Sequence, residues 1–190
     1  MNKKVTEYTA DDIEILEDLS PILHRPGMYT DPVNPNHALV EIIDNASDEG
    51  LAGFAKNIEI TIYEDGSAEV IDDGRGIPVD IHRTKKVPAV QVIFTTLHSG
   101  GKFRKTDSES VYRIAGGLHG VGVCVSNALS TLLEAEVKRD GSVHQIVFGP
   151  NGKVKIRLKK LKKIPSKQTG TWVRFWPDKK YFDSVIFDIS

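Results

Sequence analysis

Polar side chains at helical spacing in residues 37–49 could carry out hydrolytic chemistry on a polyphosphate. Glu41, Asn45 and Asp48 follow one another at steps of four and three residues, so on a helix they share one face. His37 lies one turn before Glu41 on that face. A carboxylate there can take a proton from water, and an amide oxygen can ligate Mg²⁺ without adding negative charge. The same spacing also fits a solvent-exposed helix face, which these residues taken alone favour.

A carboxylate that could recognise a purine base lies in residues 72–76 (Asp-Asp-Gly-Arg-Gly), which directly follow a predicted strand. An ionised aspartate accepts hydrogen bonds and cannot donate them. If Asp72 is buried, it could therefore select the exocyclic amino group of adenine over the keto oxygen of guanine. The alternative is a tight turn in which Asp72 is only a local cap, and the segment alone favours that alternative.

A glycine-rich segment, residues 116–122 (Gly-Gly-Leu-His-Gly-Val-Gly), precedes an apolar helical run that continues to Leu129. Such a loop at a helix N-terminus exposes backbone N–H groups that can surround an anion. The chain has no Walker A loop there, because the Gly-Lys pair at residues 101–102 is followed by Phe103 rather than Ser or Thr. The glycine spacing does not match a dinucleotide-binding fingerprint either. Glycines before a helix are more often turns than phosphate sites, so the segment alone identifies no ligand.

Periodicity and turn signals predict the helices that must position these groups. Helices are predicted from Asp11 or Asp12 to Leu19, from Asn36 to near Gly53, from Pro88 to Leu97, and from the glycine-rich segment to Leu129. Ser20 and Pro21 are expected to end the first helix, and the side chain of Asn36 is expected to cap the second.

The remaining segments predict a mainly antiparallel sheet. Strands are predicted over residues 57–63, 68–71, 153–163 and 170–176, with hairpin turns at residues 65–66, 140–141 and 151–152. One face of the first strand (Ile58, Ile60, Ile62) and of the third (Val154, Ile156, Leu158) should be buried. Four helices against such a sheet predict an α+β layer architecture. We expect a single domain over residues 1–190, with residues 1–10 as an extended arm.

Composition limits the class of protein. The 190 residues are 39% apolar and 27% charged, as in a soluble globular domain. The net charge of −1 gives no general attraction to nucleic acid, so this chain is not expected to be the main DNA-binding part of a larger protein. The lysine-rich residues 153–163 could form a nucleic-acid patch, but the lack of interleaved aromatic residues favours a solvated sheet face. A single cysteine and no signal peptide or long apolar run predict a cytoplasmic protein without membrane contact.

The order of these motifs resembles the GHKL ATPase superfamily: Glu-x-x-x-Asn on a helix, Asp-x-Gly-x-Gly after a strand, a glycine-rich segment before a helix, and Gly-Thr on a late strand. Nearly the whole chain is similar to the B subunits of bacterial gyrase and topoisomerase IV. The similar segments are residues 25–29, 41–45, 48–49, 72–78, 100–103, 116–122 and 173–177. Residues 28–31 and 34–37 are more similar to the topoisomerase IV branch. The resemblance implies the Bergerat two-layer sandwich, with helices packed on one face of a mainly antiparallel sheet.

The resemblance also implies ATP and Mg²⁺ as cofactors and a role for each site residue. Glu41 would be the catalytic base, oriented by His37, and Asn45 would ligate Mg²⁺. Asp72 would accept the adenine amino group, with Thr171 assisting through a water. Glu49 and Arg75 would form an ion pair at the rim, and Ile43 would help to line the adenine slot. The implied nucleotide contacts are Asn45, Asp48, Glu49, Asp72, Arg75, Gly76, Ile77, Pro78, Lys102, Tyr112, Gly116, Gly117, Leu118, His119, Gly120, Val121, Gly122, Thr171, Val173 and Tyr8.

The function implied is ATP-driven closure of a dimer gate for DNA strand passage, decatenation and relaxation. The implied partners are a second copy of the full-length protein, the A subunit of topoisomerase IV, DNA held mainly by other domains or subunits, and competitive inhibitors of the ATP pocket. The family completes its site with a lysine from a transducer domain after residue 190, so this chain is expected to bind nucleotide but turn over poorly. Three alternatives stay open: a gyrase B ATPase domain, a histidine-kinase-type ATP-binding domain, and a non-hydrolysing nucleotide switch. Glu41 beside His37 argues against the kinase.

Overall fold

The computed structural model describes residues 18–97 and 122–188. In these ranges two α-helices, two strands, two further α-helices and four strands follow one another along the chain. The helices are α1 (Ser20–His24), α2 (Asn36–Leu51), α3 (Ala89–Thr95) and α4 (Gly122–Ala128). The strands are β1 (Ile58–Ile62), β2 (Ala68–Asp72), β3 (Ser130–Arg139), β4 (Ser142–Phe148), β5 (Val154–Lys163) and β6 (Gly170–Pro177). None of the helices in these ranges is both long and apolar enough to cross a membrane.

The six strands form one sheet in the order β1-β2-β6-β3-β4-β5, and every neighbouring pair is antiparallel. On the helical side, α2 contacts β1 and β2, α4 contacts β3 and β6, and α3 packs on α4. The core between the layers includes Phe94 and Phe148, whose ring centroids are 5.4 Å apart, together with Leu129, Leu133 and Phe175. The predicted α+β sandwich with a mainly antiparallel sheet is therefore confirmed.

The hairpin between β3 and β4 shows how the sequence sets the sheet register. Asp140 and Gly141 both adopt positive φ, at 51° and 68°. Aspartate and glycine tolerate this conformation, which gives the turn a twist that matches the flanking strands. The hairpin predicted at these residues is confirmed, and β3 and β4 pair from Arg139 opposite Ser142 to Leu133 opposite Phe148.

Two predictions about helix ends are wrong. Leu19 is not helical, and Ser20 and Pro21 begin α1, because proline is favoured in the first helical turn, where its missing N–H has no partner to lose. The rest of the helix predicted before them, like the arm at residues 1–10, lies outside the described residues. Asn36 is the first residue of α2 and makes no side-chain cap. Its amide instead bonds the backbone of Asp188, donating to the carbonyl at 2.5 Å and accepting from the N–H at 2.9 Å. That contact joins the start of α2 to a segment 152 residues later.

The burial predicted for the two edge strands is only partly correct. In β1, Ile58 is half-buried, but Ile60 and Ile62 are 48% and 39% exposed. Ile58 packs under the C-terminal part of α2, where its Cδ1 would lie 3.9 Å from a Cβ atom at Gly50. In β5, Val154 and Leu158 pack on the core, whereas Ile156 is exposed because the register with β4 shifts on either side of it. Helix α3 also ends before the predicted Leu97.

Candidate functional site

Helix α2 holds His37 between a buried hydroxyl and a carboxylate. The Nε2 atom of His37 lies 3.7 Å from Oε1 of Glu41, one turn further along the helix. The other ring nitrogen, Nδ1, lies 3.2 Å from Oγ1 of Thr30, which is buried in the loop before α2. The Glu41 side chain is 25% exposed, so water can reach it. The structure therefore brings His37 and Glu41 together as the helical spacing predicts.

The carboxylate of Glu41 rests against the first residue of α4. A Cβ atom added to Gly122 would overlap that carboxylate and would lie 2.6 Å from Cβ of Glu41. Helix α4 is held in this position by Ser126, whose hydroxyl donates to the carbonyl oxygen of Ala38 on α2 at 2.7 Å. Only glycine leaves room for the carboxylate at this point. The last glycine of the glycine-rich segment therefore shapes the surroundings of Glu41.

Asn45 and Asp48 continue the polar face of α2 toward the interior. Asn45 is half-buried, and its side-chain amide makes no hydrogen bond to residues 18–97 or 122–188. Within the part of the chain that the structure describes, its oxygen therefore has no partner that would compete with a ligand such as a divalent cation. Asp48 is buried, so it lies deeper than the exposed stripe that the sequence predicts.

The predicted ion pair between Glu49 and Arg75 is confirmed. Arg75 donates from Nη2 to Oε1 at 2.7 Å and from Nε to Oε2 at 3.0 Å, and its backbone N–H also donates to Oε2 at 3.1 Å. Burial acts to raise the pKa of Glu49, but the hydrogen bonds and charge of Arg75 outweigh it and the pKa is lowered. The guanidinium also stacks on the Phe54 ring, 3.7 Å from its centroid. These contacts fasten the end of α2 to the loop after β2.

Asp72 ends β2 as a buried carboxylate. It is 7% exposed, and it lies opposite Thr171 in the register between β2 and β6. Its Oδ1 accepts a hydrogen bond from the backbone N–H of Gly74 at 2.8 Å, so it does cap the turn, as the simpler alternative proposed. Burial nevertheless raises the pKa of Asp72 to about 6, against the opposing hydrogen bonds from Gly74 and Thr171. A local cap has no need of such burial, whereas a base-recognising acceptor does.

Gly170 allows β6 to lie close to the backbone of Asp72. A Cβ atom at Gly170 would overlap the carbonyl oxygen of Asp72 and would come within 3.2 Å of Cα of Asp73. Its φ of 143° is also one that residues with a side chain rarely adopt. The glycine of the Gly-Thr pair thus brings Thr171 beside Asp72.

Two positioning residues were missed by the sequence reasoning. Arg139, near the end of β3, donates from Nη1 to the carbonyl oxygens of Gly76 at 2.6 Å and of Arg75 at 3.4 Å. It therefore fixes the glycine-containing turn after β2 from the opposite side. Thr30, the partner of His37, was also missed. Arg139 has no local sequence signal, since it lies 63 residues after the carbonyl that it binds. Thr30 lies only seven residues before His37, but in a loop outside the helical spacing that relates His37 to Glu41.

The side chains expected to line the adenine slot have different exposures. Ile77 and Val173 are buried in the core, and Ile43 packs against it while half-buried. Pro78 is exposed. The remaining predicted contacts lie outside the described residues; they are Tyr8, Lys102, Tyr112, Gly116, Gly117, Leu118, His119, Gly120 and Val121.

Comparison with protein families and curated proteins gives consistent matches. A family model described as histidine kinase-, DNA gyrase B-, and HSP90-like ATPase matches residues 30–181. The B subunit of DNA topoisomerase 4 from Francisella tularensis is 57% identical over 178 residues, which are 94% of this chain and 28% of that protein. The B subunit of DNA gyrase from Haloferax volcanii is 48% identical over 190 residues, covering 97% of this chain and 29% of that protein. The chain thus spans less than a third of the length of these relatives.

Solved structures match the fold over most of the chain. The topoisomerase IV ATP-binding domain of Francisella tularensis, in complex with a small-molecule inhibitor, superposes with a TM-score of 0.77 at 49% identity. That match covers 92% of this chain and 81% of the other. The 43K ATPase domain of Thermus thermophilus gyrase B, in complex with an aminocoumarin, gives a TM-score of 0.75 at 41% identity and covers 90% of this chain and 42% of the other.

Proposed function

The chain belongs to the histidine kinase-, DNA gyrase B- and HSP90-like ATPase family, and we propose that it is the ATP-binding and ATP-hydrolysing module of the B subunit of topoisomerase IV. Both the curated relatives and the superposed ATP-binding domains support this assignment. The single observation that carries it is the buried carboxylate of Asp72 at the end of β2. An acceptor-only group in that position suits the amino group of adenine.

The adenine end of the site has three parts with separate tasks. Asp72 accepts the exocyclic N–H of the base, and Thr171 beside it supplies a hydroxyl for a bridging water. Ile77 and Val173 give the apolar walls that exclude bulk water and strengthen that hydrogen bond. Guanine presents a carbonyl where adenine has its amino group, so the ionised Asp72 would leave two acceptors facing each other.

The hydrolytic end of the site lies along α2. Glu41 takes the proton from the attacking water, and His37, held by Thr30, fixes the orientation of its carboxylate. The available amide oxygen of Asn45 fits a Mg²⁺ ligand, since Mg²⁺ in nucleotide sites takes few protein ligands and completes its shell with phosphates and water. When bound, Mg²⁺ would neutralise phosphate charge. The phosphates themselves are proposed to be held by Lys102 and the backbone of residues 118–122.

The assembly that this module serves is also a proposal. In the longer protein, ATP binding would close a dimer gate between two copies of that protein, and hydrolysis would reopen it during DNA strand passage. The A subunit of topoisomerase IV is the proposed partner, and the cytoplasm is the proposed compartment. The inhibitor complex of the Francisella tularensis domain supports a pocket that is open to competitive inhibitors. A gyrase B module is the alternative. A topoisomerase IV module predicts decatenation by the complete enzyme, whereas a gyrase B module predicts supercoiling.

Base selectivity provides the direct experiment. An NMR titration of the isotopically labelled chain with Mg²⁺-ADP and separately with Mg²⁺-GDP should give shifts for ADP alone, centred on Asn45, Asp72 and residues 116–122. Weak binding is sufficient for this readout. Equal shifts with both nucleotides, or shifts away from these residues, would contradict the proposed adenine pocket.

A further inference from the structure

The edge strand β5 carries a dense set of positive charges. Six of its ten residues are Lys or Arg, and two further lysines flank it. We call these eight residues the β5 basic strip, and every one of them is exposed. They are Lys153, Lys155, Arg157, Lys159, Lys160, Lys162, Lys163 and Lys167. The whole chain has a net charge of only −1, so the strip is a strong local departure from the rest of the surface.

Among the residues that the structure describes, no acidic group pairs with the β5 basic strip. Residues 141–177 contain no Asp or Glu, and the neighbouring strand β4 carries no Lys, Arg, Asp or Glu. Within the described parts of the chain, none of the eight cations takes part in an ion pair. The nearest carboxylates in the sheet, Glu134 and Glu136, lie on β3, two strands away. That separation is about 10 Å, close to the Debye length at 0.1 M salt.

Protection of a sheet edge against aggregation explains only part of this pattern. Lysines and bulges both prevent an edge strand from pairing with another chain. The pairing of β5 with β4 already shifts register at three points, so this edge is irregular and disfavours pairing with another chain even without the lysines. Eight unpaired cations on one edge exceed that need. A polyanionic partner accounts for both their number and their lack of neighbouring carboxylates.

We propose that the β5 basic strip binds the phosphate backbone of duplex DNA. A ten-residue strand spans about 33 Å, roughly one helical turn of B-DNA. The strip has no interleaved aromatic residues, which removes the stacking platform that single strands require. The choice of DNA as the polyanion rests on the proposed topoisomerase function, whereas the surface is independent of the nucleotide site. The strip would supply backbone contacts, with no base recognition, in addition to the DNA contacts of other domains.

Salt-dependent binding to a duplex tests this proposal. Fluorescence anisotropy with a labelled duplex of about 24 base pairs, without nucleotide, would be measured from about 25 to 200 mM KCl. Each phosphate contact contributes about 0.9 to the slope of log affinity against log salt. The triple variant Lys159→Gln, Lys160→Gln, Lys162→Gln should therefore lower the magnitude of the slope by nearly 3 and weaken binding about tenfold or more at low salt.

A matched variant separates a local site from a net-charge effect. Arg83→Gln, Lys85→Gln, Lys86→Gln removes the same charge from the exposed connection between β2 and α3 and should leave the slope unchanged. Equal effects of the two triple variants, or no binding at the lowest salt, would overturn the proposal. Equal competition by polyglutamate or by single-stranded DNA of equal charge would overturn the assignment to duplex. The strip variants should bind ADP as the wild type does. A loss of DNA binding can therefore be told apart from a loss of the adenine pocket, which would abolish ADP binding.

Discussion

The carboxylate of Glu41 occupies the space that a side chain at Gly122 would need. A Cβ atom at Gly122 would overlap the carboxyl group, and α4 is fastened to α2 through the Ser126 hydroxyl. The orientation of Glu41 therefore depends on the first residue of α4 as much as on its own helix.

Gly122→Ala should displace the carboxylate of Glu41, because the hydrogen bond from Ser126 to Ala38 holds α4 against α2. In the complete enzyme, a misplaced base is expected to lower ATP turnover by roughly tenfold to a hundredfold. Steady-state hydrolysis measures this, and Gly27→Ala is the matched control because no atom lies within 4 Å of its added Cβ. Full turnover by Gly122→Ala would show that the close contact has no part in placing Glu41.

Glu41→Ala should separate hydrolysis from binding. Loss of a general base typically lowers turnover by about 10²–10⁴, while the adenine end of the site is unchanged. Hydrolysis by the complete enzyme and ADP affinity by calorimetry should therefore respond differently. A parallel loss of ADP affinity would instead make Glu41 a structural residue.

Asp72→Asn should weaken adenine binding without changing the shape of the pocket. The amide replaces an acceptor-only group, and loss of a charged hydrogen bond costs about 1.5–3 kcal/mol, so ADP affinity should fall roughly tenfold to a hundredfold. Asp73→Asn is the matched control. The exposed Asp73 accepts hydrogen bonds from Asn57 and Lys56, which hold its pKa at about 2, and its loss should leave ADP affinity intact. An equal affinity for Asp72→Asn and the wild type would reject base recognition by Asp72.

The raised pKa of Asp72 makes stability depend on pH. Burial raises the pKa to about 6 from its ordinary value of 3.8, so the folded chain binds this proton more tightly than the unfolded chain. The resulting stability is complete below about pH 4 and is lost as pH rises through about 6, a change of roughly 3 kcal/mol. Urea unfolding should show the wild type losing stability relative to Asp72→Asn across this range. A difference that does not vary with pH would contradict the burial of an ionisable group here.

Thr30→Val should disturb His37 while preserving the shape of the buried side chain. The hydroxyl lies 3.2 Å from Nδ1 of His37, and its removal leaves that nitrogen without the partner that selects its tautomer. Long-range ¹H–¹⁵N spectra of the imidazole should show a changed tautomer population, together with slower hydrolysis by the complete enzyme. Thr30→Ser retains the hydroxyl and should restore both readouts. An unaltered imidazole spectrum in Thr30→Val would show that Thr30 only packs against the ring.

The parts of the fold predicted from sequence are those governed by local rules. The polar face of α2 follows from helical spacing, and the hairpin at residues 140–141 follows from positive φ at Asp140 and Gly141. The ion pair between Glu49 and Arg75 was also predicted, although from the family resemblance rather than from spacing. The helix face and the hairpin depend on residue types close together in the sequence. The ion pair depends on two family motifs that occur together, one with Glu49 and one with Arg75.

The missed features depend on distant segments. The sequence predicts that the Asn36 side chain caps α2. Its amide instead donates to the carbonyl oxygen of Asp188 and accepts from the N–H of the same residue. Arg139 at the end of β3 bonds the carbonyl oxygen of Gly76 in the loop after β2, although β6 lies between these two strands in the sheet. Alternation in β1 correctly predicts a strand, but Ile60 and Ile62 on its apolar face are exposed. Sequence periodicity specifies which face is apolar and does not specify how far the opposing layer extends.

The ion pair between Glu49 and Arg75 fixes the C-terminal part of α2, so this helix holds Glu41 at a set distance from it. Glu41 and Glu49 are eight residues apart on one continuous helix, which fixes about 12 Å between them along its axis. One end of that span meets α4 at Gly122, and the other is tied to the turn that follows Asp72. A single residue inserted between Glu41 and Glu49 would rotate Glu41 by about 100° about the helix axis relative to the ion pair. The distance between Glu41 and the turn that follows Asp72 is thus set by the rise of a single continuous helix.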